Sequence, residues 1–115
     1  MTRQEFCVPD ESELMGFFGR EPVERAVEDG YWCYEVPGPG ATSLRFSFHV
    51  YERSVQTAIR AGAAPVATVS QEMATLLRVD GSNLRCDFDS VDSQTTLVVH
   101  GGEDYSVVWS TLRTA

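Results

Sequence analysis

From Tyr31 to the C-terminus, apolar residues recur at every second position in short runs separated by turn residues. This period constrains the fold more than any other feature. Successive strand side chains point to opposite faces, whereas a helical face needs spacings of three and four. The clearest run sets Leu44, Phe46, Phe48 and Val50 against Arg45, Ser47, His49 and Tyr51, the pattern of a half-buried strand. Before it, Tyr31 to Val36 is rich in strand formers and is broken by Pro37-Gly38-Pro39-Gly40. After it, Arg53 to Arg60 alternates again, with Val55, Thr57 and Ile59 on one side, and Ala61 to Pro65 reads as a loop. Val66–Val69 and Met73–Val79 read as one long strand or two short ones, with a bulge near Gln71-Glu72. Asp80-Gly81-Ser82-Asn83 predicts a tight hairpin, because Asp-Gly tolerates positive φ. Leu84, Cys86 and Phe88, then Thr95–His100, then Tyr105–Leu112 complete the series.

The first thirty residues follow a different rule. Asp10 with Glu13 three positions on has capping-box spacing, Leu14, Phe17 and Phe18 form one apolar face, and Gly19 is placed to end the turn. A short helix is predicted. In Glu21–Gly30, Pro22 suits a first helical position and Val23, Ala26 and Val27 share a helical face, so a second short helix or an irregular acidic connector is expected. The sequence therefore predicts an α+β fold, mainly an antiparallel meander of about six to eight strands with one or two short N-terminal helices. Half-barrel and sandwich forms both satisfy this pattern. Without strand–helix–strand alternation, a parallel sheet is not expected. At 115 residues, one domain is expected over 1–115. Residues 1–30 form its acidic helical segment and 31–115 its sheet core.

Charge divides the chain near the same boundary. The net charge is −8, with nine arginines and no lysine; residues 1–35 carry nine acids against three arginines, a net −6. Nucleic acid and anionic membrane both require a basic surface, so neither is expected as a partner. No apolar stretch approaches a membrane span or a signal peptide. Cys7, Cys33 and Cys86 are scattered and form no C-x-x-C pair, as expected for small hydrophobes in a reducing, cytoplasmic setting. Arg in place of Lys, with abundant Ala and Val, suggests a GC-rich bacterial origin.

Motifs for chemistry are sparse. His49 and His100 lack further ligands at metal-site spacing, so no metal is expected. Asp87 to Asp92 begins like a calcium loop but has Val91 and Asp92 where a ligand and then glycine belong. There is no G-x-S-x-G elbow, and neither Pro37–Gly40 nor Gly101-Gly102 carries a phosphate-loop lysine. No cofactor and no enzymatic activity are expected.

Two features remain. The acidic run includes Glu21, Glu24, Glu28 and Asp29, and beside it stand Tyr31, Trp32 and Tyr34. Acids steer a basic partner, and exposed aromatic residues concentrate binding energy. These seven residues are the candidate partner-binding set. In a strand, Tyr31 and Cys33 face one way and Trp32 and Tyr34 the other. The expected function is a non-enzymatic binding protein, with the character of an acidic inhibitor or immunity-type protein docking a basic protein. Two other readings compete with it. One is a small-molecule-binding barrel or enzyme lined by Phe46, Phe48, Phe88 and Trp109. The other is a homo-oligomeric structural domain pairing through Tyr105–Leu112.

Overall fold

The computed structural model describes residues 5–113. Its elements are helix α1 (Glu11–Phe18), strands β1 (Glu24–Ala26), β2 (Tyr31–Pro37), β3 (Thr42–His49), β4 (Ser54–Ala61), β5 (Ala64–Gln71), β6 (Ala74–Asp80), β7 (Asn83–Asp89), β8 (Ser93–His100) and β9 (Ser106–Arg113), and a single 3-10 turn over Val27–Asp29. The strands form two antiparallel meanders, β1-β2-β3-β4-β5 and β6-β7-β8-β9. The fold class is thus mostly antiparallel β with one short helix. The described residues hold nine strands, more than the six to eight expected, because β1 pairs where a short helix or an irregular connector was expected.

Helix α1 forms as its ends dictate. The Asp10 side chain accepts from the Glu13 N–H at 2.8 Å, and Gly19 adopts the left-handed conformation at φ 69°. Leu14 and Phe18 are buried. Phe18 stacks on Tyr34 at 4.5 Å between ring centroids and lies 5.7 Å from Phe46, and the Tyr105 hydroxyl donates to the Phe17 carbonyl at 2.9 Å. The helix thereby closes one side of the sandwich.

Residues 21–30 do not form the second helix. Glu24 pairs with Cys33 and Ala26 with Tyr31, and the Val23 N–H donates to the Cys33 carbonyl at 2.8 Å. An eight-residue helix is marginal alone, whereas pairing with β2 satisfies the same backbone groups. Gly30, at φ 66°, then turns the chain into β2 with the side chains of Tyr51 and Val50 against it, so a Cβ there would be both strained and crowded.

The predicted loop at 61–65 is shorter than expected. Gly62 and Ala63 make the turn, and Pro65 lies within β5, opposite Arg60 and next to a register shift at Ile59/Arg60. An edge strand at a bulge is where a strand tolerates proline. The break between β5 and β6 is a change of sheet. Glu72-Met73 carries the chain across, with Met73 at φ 70°, and the Ala74 N–H donates to the Arg53 carbonyl.

The inward faces follow from register. Leu44, Phe46 and Phe48 of β3 align with Val36, Tyr34 and Trp32 of β2, and Leu84, Cys86 and Phe88 of β7 with Val99, Leu97 and Thr95 of β8. The two faces meet where the Trp109 indole N–H of β9 donates to Thr57 of β4 at 2.9 Å, and within the smaller sheet Phe88 lies 5.4 Å from the Trp109 ring. The four aromatic residues expected to line a ligand space thus pack within the core. The sheets do not join into a barrel, since β5 and β6 belong to different sheets. The free side of β6 is met by Cys7, whose N–H donates to the Thr75 carbonyl and whose carbonyl accepts from the Leu77 N–H. Cys33 and Cys86 are buried as expected; Cys7 is exposed, and none forms a disulfide.

Candidate protein-docking surface at the β1 edge

The candidate residues gather around one edge of the five-stranded sheet. Strand β1 is the outermost strand there, with Glu21 and Val23 before it and Val27, Glu28 and Asp29 in the turn after it. Glu21, Glu24, Glu28 and Asp29 are all exposed. So are Val23 (49%) and Val27 (59%), apolar side chains left in water among the acids. The edge therefore combines apolar area with a negative rim, the composition of a protein-binding patch.

The three aromatic residues take different places. Tyr31 lies on the outward face, half-buried, with its ring 4.5 Å from His49 and its hydroxyl donating to Glu24 at 3.2 Å. Burial above all, then the adjacent Cys33 and Glu24, pushes its pKa up to about 12. Trp32 points inward, half-buried, stacking near Phe48 at 5.6 Å while its indole N–H donates to Glu11 at 3.1 Å. Tyr34 is fully buried and lies beneath the edge, outside solvent contact. Its hydroxyl has no hydrogen-bond partner among the described residues, and burial followed by the charge of Glu11 pushes its pKa up to about 12. The opposite orientations of Tyr31 and Trp32 follow the strand alternation.

Two of the acids do internal work. Glu24 receives the Arg45 guanidinium, whose Nε also donates to the Cys33 sulfur at 3.0 Å. That sulfur contact first, and Glu24 after it, raise the Arg45 pKa further. Glu11 pairs with Arg25, which holds its carboxyl below the ordinary carboxylate range, helped by the Trp32 N–H. These two pairs tie β1 to β3 and to α1. Glu21, Glu28 and Asp29 are left as the outward-facing charges. Sequence reasoning missed Val23 and Val27 as surface residues because their spacing with Ala26 imitates a buried helical face. Their β-branching, which favours extended backbone, was the available signal.

Among the described residues no three side chains of metal-ligating type converge, and no helix is long and apolar enough to cross a membrane. His100 bonds Asn83 at 3.0 Å, far in sequence from His49, which stacks on Tyr31. An apolar recess of about 140 Å³ opens between the sheets beside Leu44, Ile59 and Val107. It is smaller than the ~300 Å³ at which small-molecule sites begin.

No protein-family model and no curated protein sequence matches the chain. Among solved structures it is similar to a chain of a contact-dependent growth inhibition toxin–immunity protein complex from Klebsiella pneumoniae 342, with a TM-score of 0.81 and 21% identity over 93% of this chain and 97% of that one. At this identity the likeness establishes a shared fold across nearly the whole of both chains.

Proposed function

We propose that this protein is an immunity-type inhibitor, a non-enzymatic cytoplasmic binder that neutralises a basic toxic protein through its β1 edge. The observation that carries the reading is the near full-length likeness to a chain of a toxin–immunity complex. The acidic character selects the immunity side of such a pair, since a net charge of −8 suits capture of a basic protein and disfavours action on nucleic acid. The β1 edge supplies the surface. Glu21, Glu28 and Asp29 provide steering charge, and Val23 and Val27 provide area that a partner can dehydrate. Glu24, Tyr31 and Trp32 form the rigid floor, held by Arg45 and Glu11, and Tyr34 packs below them.

The test is co-expression with the product of the neighbouring gene. Purification of a complex at low salt that weakens at high salt, together with rescue of growth from that product, is the expected result. A neighbouring product that is neither bound nor neutralised overturns the reading.

A further inference from the structure

The edge opposite β1 differs from it in every respect that governs strand pairing. Strand β5 is eight residues long, carries no charged side chain, and is exposed along nearly its whole length. Val66 is 63% exposed and Val69 38%. One side of β5 pairs with β4; among the described residues no backbone hydrogen bond engages the other. Natural edge strands are normally blunted by charge, bulges or covering segments. Here the only such devices are Pro65 and the adjacent register shift, both at the start of the strand.

We propose that two copies of this chain associate through β5, antiparallel about a two-fold axis at Thr68, joining their five-stranded sheets into one of ten strands. This association is independent of the proposed immunity role. A two-fold axis perpendicular to the sheet keeps each copy's inward face on the same side, so facing residues must share a face. Centring on Thr68 sets Ala67 opposite Val69 of the second copy and Val66 opposite its Ser70, with Pro65 at the end of the paired run. Charge favours this approach. Residues 53–71 contain two arginines and no acid, on a chain of net −8. At the β1 edge, by contrast, two copies would present acids to one another. The same axis carries exposed Glu72 of one copy to the Pro65 end of the other, one strand from half-exposed Arg60, which pairs with Pro65. Two strand steps of ~4.8 Å separate those backbones, within the combined reach of the two side chains. The arrangement repeats twice about the axis.

Strand β9, the free edge of the other sheet, does not serve the same purpose. The Trp109–Thr57 bond places β9 over β4, so β5 overhangs the smaller sheet. Pairing through β9 would drive β5 of each copy into the layer already held by β4 of the other.

Sedimentation of the full chain at tens of micromolar tests the proposal. The expected result is a reversible dimer. Thr68→Lys places like charges face to face and should weaken it at least ~tenfold, whereas Ser110→Lys on β9 should leave it unchanged. Circular dichroism and the melting temperature establish that each variant is folded. Glu72→Arg alone should weaken the dimer, and Glu72→Arg combined with Arg60→Glu should restore it. A monomer at all concentrations overturns the proposal. So does a dimer that is broken by Ser110→Lys but not by Thr68→Lys, or a double variant that fails to recover.

Discussion

The two edges of the five-stranded sheet are made from contrasting material. The β1 edge is three residues long, flanked by exposed acids and pinned by ion pairs to β3 and α1. The β5 edge is eight residues long, uncharged and, among the described residues, paired with β4 only. Both expose valines, so apolar exposure by itself does not distinguish them. The difference lies in what surrounds the valines. Acids favour a partner of opposite charge and repel a second copy, whereas an uncharged strand offers its backbone to any strand that fits. One sheet can therefore support two kinds of association without competition between them.

The largest expected effect comes from removing the support beneath the β1 edge. Phe18→Ala empties the space between Tyr34, Phe46 and Tyr105 and should cost ~3–5 kcal/mol of stability by denaturant unfolding. Val69→Ala on half-exposed β5 should cost under ~1 kcal/mol. Equal costs would mean that α1 is not integral to the core.

Next comes charge. Reversing Glu21, Glu28 and Asp29 together to Arg should slow association with a basic partner by one to two orders of magnitude at low salt, while leaving the melting temperature nearly unchanged. Surface plasmon resonance against the neighbouring gene product measures this. Thr68→Lys should leave the same rate untouched.

Two smaller effects concern the tyrosine and cap beneath this edge. The Tyr34 hydroxyl is buried without a hydrogen-bond partner among the described residues, so Tyr34→Phe should stabilise the protein by ~1 kcal/mol. The variant should also change the alkaline limb of stability. Tyr31 and Tyr34 are raised from 10 to about 12 in the folded state, so between these values the unfolded chain loses protons that the folded chain keeps. Stability then falls as pH rises from 10 towards 12, and Tyr34→Phe should make that fall shallower in thermal melts. Asp10→Ala removes the α1 cap at a cost of ~1 kcal/mol.

Much of the sheet was legible because half-buried strands write their environment into the sequence. Leu44 to Val50 alternates since β3 has one face in the core and the other towards solvent, and Asp80-Gly81 marked its turn because Gly81 takes φ 62°. The capping residues of α1 were legible for the same local reason. β5 was legible only in part, as Val66–Val69, because with neither face buried nothing selects an alternation along the rest of it. The switch of sheets at Met73 was hidden too, since a left-handed methionine has no sequence signature. At the candidate site, the acids and the opposite orientations of Tyr31 and Trp32 could be read in advance. The burial of Tyr34 and the exposure of Val23 and Val27 depend on where α1 and β2 pack, and the β-branching of the two valines was the local hint.

The proposed capture of a basic protein by the acidic β1 edge rests on charge. The most direct measurement is the association rate with the neighbouring gene product across a salt series, for the native chain and for the triple reversal of Glu21, Glu28 and Asp29. The native chain should show a rate that falls steeply with salt, and the variant a slow and nearly salt-independent one. Equal rates and equal salt slopes for the two proteins would contradict it.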